Sequence, residues 1–152
     1  MKYLIYFLII TLLGASEVQV TADKFMANEA KGISTFTGSV HVIKEGDDLK
    51  ADKVVINFDK DKKPTLYTAT GHASVKMKIK DKRYFAKGGI LIYDPNLLKY
   101  TIKKNAFLQE IDTDKKVYGE TIWVDQVRGY YEVDGKKNKP VKFIFKIEDK
   151  KK

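Results

Sequence analysis

The alternation of apolar and polar side chains constrains the fold of this chain more than any other sequence feature. It is clearest in Gly71–Lys80, where every second residue from Ala73 to Ile79 is apolar and three of the residues between and after them are lysines. Successive side chains of a β-strand point to opposite faces, so this spacing predicts a strand with one dry face and one basic, wet face. Thr37–Asp59 alternates on both sides of a turn at Gly46-Asp47-Asp48 and is predicted to form a hairpin.

Turn-forming residues interrupt this pattern at short, regular intervals. Asp59–Pro64, Asp94-Pro95-Asn96 and Asp134-Gly135-Lys136 are the clearest of these turns. They recur roughly every 8–15 residues with no helical stretch between them, which is typical of an all-β sandwich, roll or barrel. Asp23–Ala30 is predicted to be a turn or a bulged strand. Arg83–Ala86 and Gly89–Tyr93 are predicted to be separate strands, and Lys103–Asn105 is predicted to separate two further strands. At the C-terminus, Val141–Ile147 alternates again and is predicted to be a strand, followed by a charged tail.

Pieces of the predicted hairpin recur along the chain. Ala51–Asp59 is echoed by Ala86–Asp94, and an earlier copy of its first half begins at Ala22, so the copies begin 29 and 35 residues apart. The other half recurs too: Thr37–Val40 is echoed by Thr70–Val75 and, more weakly, by Lys104–Leu108. Such spacing indicates one supersecondary unit used several times, each copy burying its apolar face against its neighbours.

The N-terminal segment has the character of a secretory signal. Met1–Leu13 combines one lysine with an almost unbroken apolar run, and the small residues Gly14-Ala15-Ser16 follow. The run is shorter than the roughly 20 residues that span a bilayer, so we expect a cleavable signal peptide over 1–16 and one domain over 17–152. The alternative is an uncleaved membrane anchor.

Composition narrows the possible functions. The chain has no cysteine, which excludes disulfides, zinc–thiolate sites and a lipid-anchored lipoprotein. Its formal charge of +9 and its many aromatic residues are compatible with an anionic surface, an anionic lipid headgroup or nucleic acid. A secretory signal argues against nucleic acid, and we expect no nucleic-acid partner.

Catalytic and metal-binding constellations are not apparent. The two histidines, His41 and His72, differ in their offset from the preceding glycine and are interpreted as surface residues. The repeated Asp23 and Asp52 are interpreted as acceptors for turn amides rather than as an acid–base pair. We therefore predict that the chain is not an enzyme and uses no cofactor or metal.

Taken together, the segments in hand resemble the OstA-like family and its LptA-type periplasmic lipopolysaccharide-transport proteins. The segments that carry the resemblance are Val18–Asp23, Thr37–Val42, Leu49–Val54, Gly71–Ala73, Ala86–Asp94, Asn105–Leu108 and Tyr118–Ile122. The resemblance implies an OstA-like β-jellyroll of stacked, twisted antiparallel strands with an apolar interior groove. It also implies a periplasmic bridge that carries lipopolysaccharide from the inner to the outer membrane and shields its lipid A acyl chains.

The resemblance further implies the partners of such a bridge. These are an LptC-like inner-membrane subunit, an LptD-like outer-membrane translocon and further copies of the chain joined head to tail. Two alternatives remain open from the sequence: an LptC-like membrane-anchored subunit of the same fold, and a secreted non-catalytic structural or adhesion module.

Alternation and resemblance together predict which side chains line the lipid-binding groove. They are Val18, Val20, Val40, Val42, Val54, Ile56, Phe58, Val75, Met77, Leu91, Tyr93 and Ile102. A closed β-sandwich would bury the same residues as an ordinary core, since an apolar strand face indicates burial but not what covers it. Both faces of Gly89–Tyr93 are apolar, so Ile90 and Ile92 are the alternative to Leu91 and Tyr93 as the inward pair. Lys76, Lys78 and Lys80 are interpreted as a solvated face, with attraction of anionic headgroups as the alternative.

Overall fold

The computed structural model describes residues 17–148, so the predicted signal peptide over 1–16 and the last four residues lie outside the described part of the chain. Within this range, ten β-strands form one antiparallel sheet, which confirms the predicted all-β fold. The strands are β1 (Val18–Thr21), β2 (Lys24–Asn28), β3 (Ile33–Lys44), β4 (Asp47–Phe58), β5 (Pro64–Ile79), β6 (Lys82–Asp94), β7 (Lys99–Glu110), β8 (Lys115–Asp125), β9 (Tyr130–Asp134) and β10 (Lys142–Ile144). Within residues 17–148 there is no helix long and apolar enough to span a membrane.

Every pair of neighbouring long strands is divided into two halves by a bulge, and the extra residue of each bulge lies on β3, β5 or β7. The pairing register shifts between Thr37 and Val40 on β3, and corresponding shifts follow on each strand pair through to β7 and β8. The inward side chains of both sets of halves belong to one core cluster. A bulge bends a strand and increases its twist, so the aligned bulges fold the sheet into two facing walls.

The two walls are defined by their strand segments. Wall one consists of β1, residues 40–44, 47–51, 73–79, 82–87, 106–110 and 115–119, and β10. Wall two consists of β2, residues 33–37, 53–58, 64–70, 90–94, 99–103 and 121–125, and β9. β1 and β10 occupy the two ends of the strand order, each paired on one side only.

The sequence repeats coincide with the bend between the walls. Gly38-Ser39, Gly71-His72 and Lys104-Asn105 all have positive φ, at intervals of 33 residues, and so confirm Lys104–Leu108 as a third copy of the motif. A Cβ on Gly71 would collide with the carboxylate of Asp52 on the next strand, and one on Gly38 would collide with that of Asp23. Glycine is favoured here because it adopts positive φ without strain and leaves room for the neighbouring carboxylate.

The role of the repeated aspartates therefore differs from the expected one. We expected Asp52 to accept hydrogen bonds from turn amides, but its carboxylate packs on Gly71 and accepts a hydrogen bond from Nδ1 of His72 (2.9 Å). Turn amides are instead bonded by other aspartates. Asp59 accepts from the backbone N–H of residues 61 and 63, and Asp94 from those of residues 96 and 97.

Four strand boundaries also differ from the sequence prediction. Lys103–Asn105 was expected to separate two strands, but β7 runs through it as a bulge, and β6 likewise continues through Gly88-Gly89. Asp23–Ala30 was expected to be a turn or bulged strand, and contains the regular strand β2. The predicted strand over Val141–Ile147 is reduced to the three residues of β10.

Candidate functional site

The predicted lining residues all lie on the inner faces of the two walls. Nine of the twelve are buried members of the core cluster: Val40, Val42, Val54, Ile56, Val75, Met77, Leu91, Tyr93 and Ile102. The other three, Val18, Val20 and Phe58, are partly buried and pack against that cluster. The structure thus brings the twelve residues into one continuous apolar interior; whether this interior receives a lipid stays a prediction.

Burial shows which side chains of Gly89–Tyr93 face the interior. Leu91 is fully buried and Tyr93 is 4% exposed, whereas Ile90 and Ile92 are only partly buried and face away from the core. Ile92 pairs with Thr68 and Thr101 on the outer face of wall two. Leu91 and Tyr93 therefore belong to the interior, as predicted, and Ile90 and Ile92 belong to the outer face.

Three tyrosines fill the interior of wall two near its turns. Tyr93 lies between the other two, with ring centroids 5.7 Å from Tyr67 and 4.4 Å from Tyr100. The cavity beside them has a volume of about 20 Å³ and is also lined by Val18, Val42 and Leu49. Ligand pockets usually measure about 300–1,000 Å³, so in this structure the walls are packed against each other around these rings.

A row of polar contacts joins the two walls at the strand ends farthest from the bulges. The hydroxyl of Tyr100 in wall two donates to Oδ2 of Asp47 in wall one (2.6 Å). Gln126 Nε2 donates to the backbone oxygen of Lys78 (2.8 Å), and Lys80 Nζ donates to the backbone oxygen of Val127 (2.8 Å). We call this row, formed by Asp47, Lys78, Lys80, Tyr100, Gln126 and Val127, the seam.

The seam holds a carboxylate in an environment that disfavours its charge. Burial raises the pKa of Asp47, although the hydrogen bonds from Tyr100 and Gln126 oppose that rise. Burial, followed by the charge and hydrogen bond of Asp47, raises the pKa of Tyr100 well above its usual range. Tyr100 therefore stays a hydroxyl donor, and burial makes the ionised form of Asp47 less favourable than it is in water.

Sequence reasoning did not find the seam. Asp47 was interpreted as a turn residue, and Gln126 carried no recognisable pattern. Lys80 was grouped with the solvated lysines, but its Nζ is bound in the seam, whereas the side chains of Lys76 and Lys78 are exposed on the outside of wall one. Asp47 and Tyr100 are separated by 53 residues, so nothing in local periodicity links them.

The interior is more accessible at the N-terminal side of wall two. A pocket of about 630 Å³ lies between the β2–β3 and β4–β5 turns, with Phe25, Ile33 and Phe58 among its apolar residues and Lys31 and Lys60 among its charged ones. Phe58 is one of the predicted lining residues. The pocket is large enough for a hydrocarbon chain, unlike the space beside the tyrosines.

The histidines form two separate pairs with carboxylates. His41 bonds to Asp48 (2.6 Å) and the exposed His72 bonds to Asp52 (2.9 Å). Across residues 17–148, no group of three or more His, Cys, Asp or Glu side chains is placed to hold a metal ion.

Most of the chain matches a known protein family. The family described as LptA/(LptD N-terminal domain) LPS transport protein matches residues 19–130. The chain belongs to this family. A sequence comparison with curated proteins found no match.

A solved structure shows the same fold as this LptA/LptD N-terminal-domain family member. It is the crystal structure of LptH, the LptA homologous periplasmic component of the conserved lipopolysaccharide transport device from Pseudomonas aeruginosa. The TM-score is 0.78 at 17% identity, over 86% of this chain and 96% of that one. Family membership confirms the resemblance found in the sequence and assigns the chain to lipopolysaccharide-transport proteins.

Proposed function

We propose that this protein is a periplasmic bridge that carries lipopolysaccharide from the inner to the outer membrane without catalysis. The acyl chains lie between wall one and wall two, while the phosphates and sugars remain outside. The observation that carries this proposal is the single bent sheet, whose apolar inner face is continuous from β1 through β8. Family membership supports the choice of lipopolysaccharide as cargo.

An apolar interior can carry a lipid simply by keeping its acyl chains out of water. Each methylene transferred from apolar surroundings into water is unfavourable by about 0.8 kcal/mol. A chain of roughly a dozen carbons therefore costs on the order of 10 kcal/mol to expose, and a lipid with several chains cannot cross water unaided. An apolar groove removes that barrier without any bond being made or broken.

Loading requires the walls to separate, because the space beside Tyr93 and Tyr100 is only about 20 Å³. The seam contacts are the ones that must break, because on the opposite side the strands themselves run from one wall to the other through the bulges. We infer that the pocket near Phe58 accepts a chain first and that opening then proceeds along the seam. Because the contacts are polar and those of Gln126 and Lys80 are exposed, they can exchange with water as the walls part.

The ends of the sheet supply the surfaces for joining domains. β1 and β10 each have one unpaired edge, and an unpaired edge readily accepts a strand from another chain. We propose that copies join head to tail through these edges, and that an LptC-like and an LptD-like partner use the same edges at the ends of the bridge.

Site-specific photo-crosslinking tests the cargo and its location. A crosslinking residue replaces Ile56 or Val75 on the inner faces, and matched proteins carry it at Val55 or Lys76, their outward neighbours. Purified lipopolysaccharide is added before irradiation. We expect lipid adducts from the two inward positions only. Equal adducts from both faces, or adducts from neither inward position, would refute the groove.

A further inference from the structure

The outer faces of the two walls differ sharply in charge. On wall one, the residues between the buried ones include seven cations and one carboxylate, that of Asp48. The cations are Lys50, Lys76, Lys78, Arg83, Lys87, Lys116 and Lys142. A positive field of this kind attracts anionic partners over distances of about a Debye length, roughly 8–10 Å.

Much of this charge is not neutralised within the described chain. Asp48 is bonded to His41, and Arg83 and Lys116 pair with aspartates of the β7–β8 turn. Lys50, Lys76 and Lys87 form no ion pair with any residue of the described range. They lie on the neighbouring strands β4, β5 and β6. Strands are about 4.8 Å apart, so the fields of these three lysines add at the surface.

Aromatic rings lie among these cations on the same face. Phe107 contacts Phe85 and Tyr118, with ring centroids 6.4 and 4.9 Å away. Lys87 Nζ lies 5.4 Å from the Phe107 ring centre and Lys142 Nζ lies 4.7 Å from that of Tyr118. Phe107 is only 9% exposed although it points outward, because these neighbours cover it. Aromatic rings beside cations, as here, suit the boundary between headgroups and water.

The outer face of wall two has a different character. Its residues are mainly uncharged: Thr35, Thr37, Thr68, Thr70, Thr101, Thr121, Val55, Ile90, Ile92 and Trp123. Three exposed lysines there, Lys24, Lys53 and Lys103, share this face with the carboxylates of Glu132 and Asp134 on β9, so its net positive charge is smaller than that of wall one. The basic character of the protein is thus directed to one side.

We propose that the outer face of wall one docks on an anionic phospholipid bilayer surface, with its lysines at the headgroup phosphates and its aromatic cluster at the headgroup level. The broad positive face, on which Lys50, Lys76 and Lys87 form no ion pair within the described residues, matches a planar anionic surface, and each Lys or Arg held near such a surface strengthens binding about fivefold. This contact uses the outside of the sheet and is separate from the proposed interior path of the cargo.

Vesicle co-sedimentation tests the proposal with a matched pair of variants. Lys50→Glu/Lys76→Glu reverses two charges on wall one, and Lys53→Glu/Lys103→Glu reverses two exposed charges on wall two. Lys50 and Lys53 even share strand β4. The probe is vesicles of phosphatidylglycerol and phosphatidylcholine, with pure phosphatidylcholine vesicles as the uncharged reference.

We expect the wall-one variant to lose binding to the anionic vesicles by about 25-fold or more, and the wall-two variant to lose far less. Raising the salt concentration should weaken wild-type binding in parallel. An equal loss in both variants would mean that only net charge matters and would overturn the proposal. So would wild-type binding to the anionic vesicles no stronger than to pure phosphatidylcholine.

A soluble polyanion separates a membrane surface from a polymer. Heparin is the polymer used. If the wall-one variant loses the heparin binding of the wild type but keeps its vesicle binding, the face binds an anionic polymer and the bilayer proposal is wrong. Photo-crosslinking from Val75 to lipopolysaccharide should be the same in both charge variants. Crosslinking thus tests the proposed lipid groove and vesicle binding tests the proposed membrane contact, so one proposal can be refuted without the other.

Discussion

Replacing Tyr100 by phenylalanine tests whether the seam holds the two walls together. The ring is 2% exposed and would remain packed against Tyr93, so the change removes little except the hydroxyl. That hydroxyl donates to Asp47 at 2.6 Å, across the walls. Gln126 Nε2 approaches the same oxygen only at 3.4 Å and is a poor substitute.

The magnitude follows from the chemistry of this hydrogen bond. A hydrogen bond to a charged group contributes about 1.5–3 kcal/mol, and its loss leaves a partly buried carboxylate less well satisfied. We therefore expect the free energy of unfolding to fall by about 1.5–3 kcal/mol. If the seam must break for loading, the open state becomes about 10- to 150-fold more populated, because 1.36 kcal/mol is a factor of ten.

Tyr84→Phe is the matched control. Its hydroxyl also donates to a carboxylate, Oε1 of Glu110 at 3.2 Å, but both residues lie in wall one on paired strands. Both variants should lose stability in denaturant unfolding. Only Tyr100→Phe should accelerate crosslinking of lipopolysaccharide to a probe at Val75. Unchanged loading in Tyr100→Phe, or equal acceleration in the two variants, would show that the seam does not gate the interior.

Two further predictions concern pH and the bend. Burial raises the pKa of folded Asp47, so its protonated form favours the fold; that contribution is present below about pH 4 and is lost as the pH rises through the folded pKa. Asp47→Asn should therefore be more stable relative to wild type at pH 7 than at pH 3.5 in urea unfolding, and a pH-independent difference would contradict this. Gly71→Ala should lower the free energy of unfolding by about 1–3 kcal/mol, because φ is +78° and Asp52 blocks the new Cβ. Lys104→Gly, at φ +67°, should raise it by about 1 kcal/mol, and the same sign for both changes would be inconsistent with strain at the bend.

The sequence by itself determined which side chains face the interior. Alternation around Val75 assigned one dry face and one basic face, and the structure shows both. The repeated glycines coincide with the bends of β3 and β5, because Gly38 and Gly71 have positive φ and leave room for a neighbouring aspartate. These features are local: side-chain alternation and backbone strain depend on residues adjacent in the chain or one hairpin away.

Only the tertiary structure decided how the two halves of each strand meet. Periodicity predicted a break at Lys103–Asn105, but pairing with both neighbouring strands carries β7 through it as a bulge. The seam depends on contacts between residues as distant in sequence as Asp47 and Gln126, 79 positions apart. A strand pattern states which face is buried but not which distant surface covers it. The two walls face each other because the aligned bulges bend the whole sheet, and this arrangement is visible only in the tertiary structure.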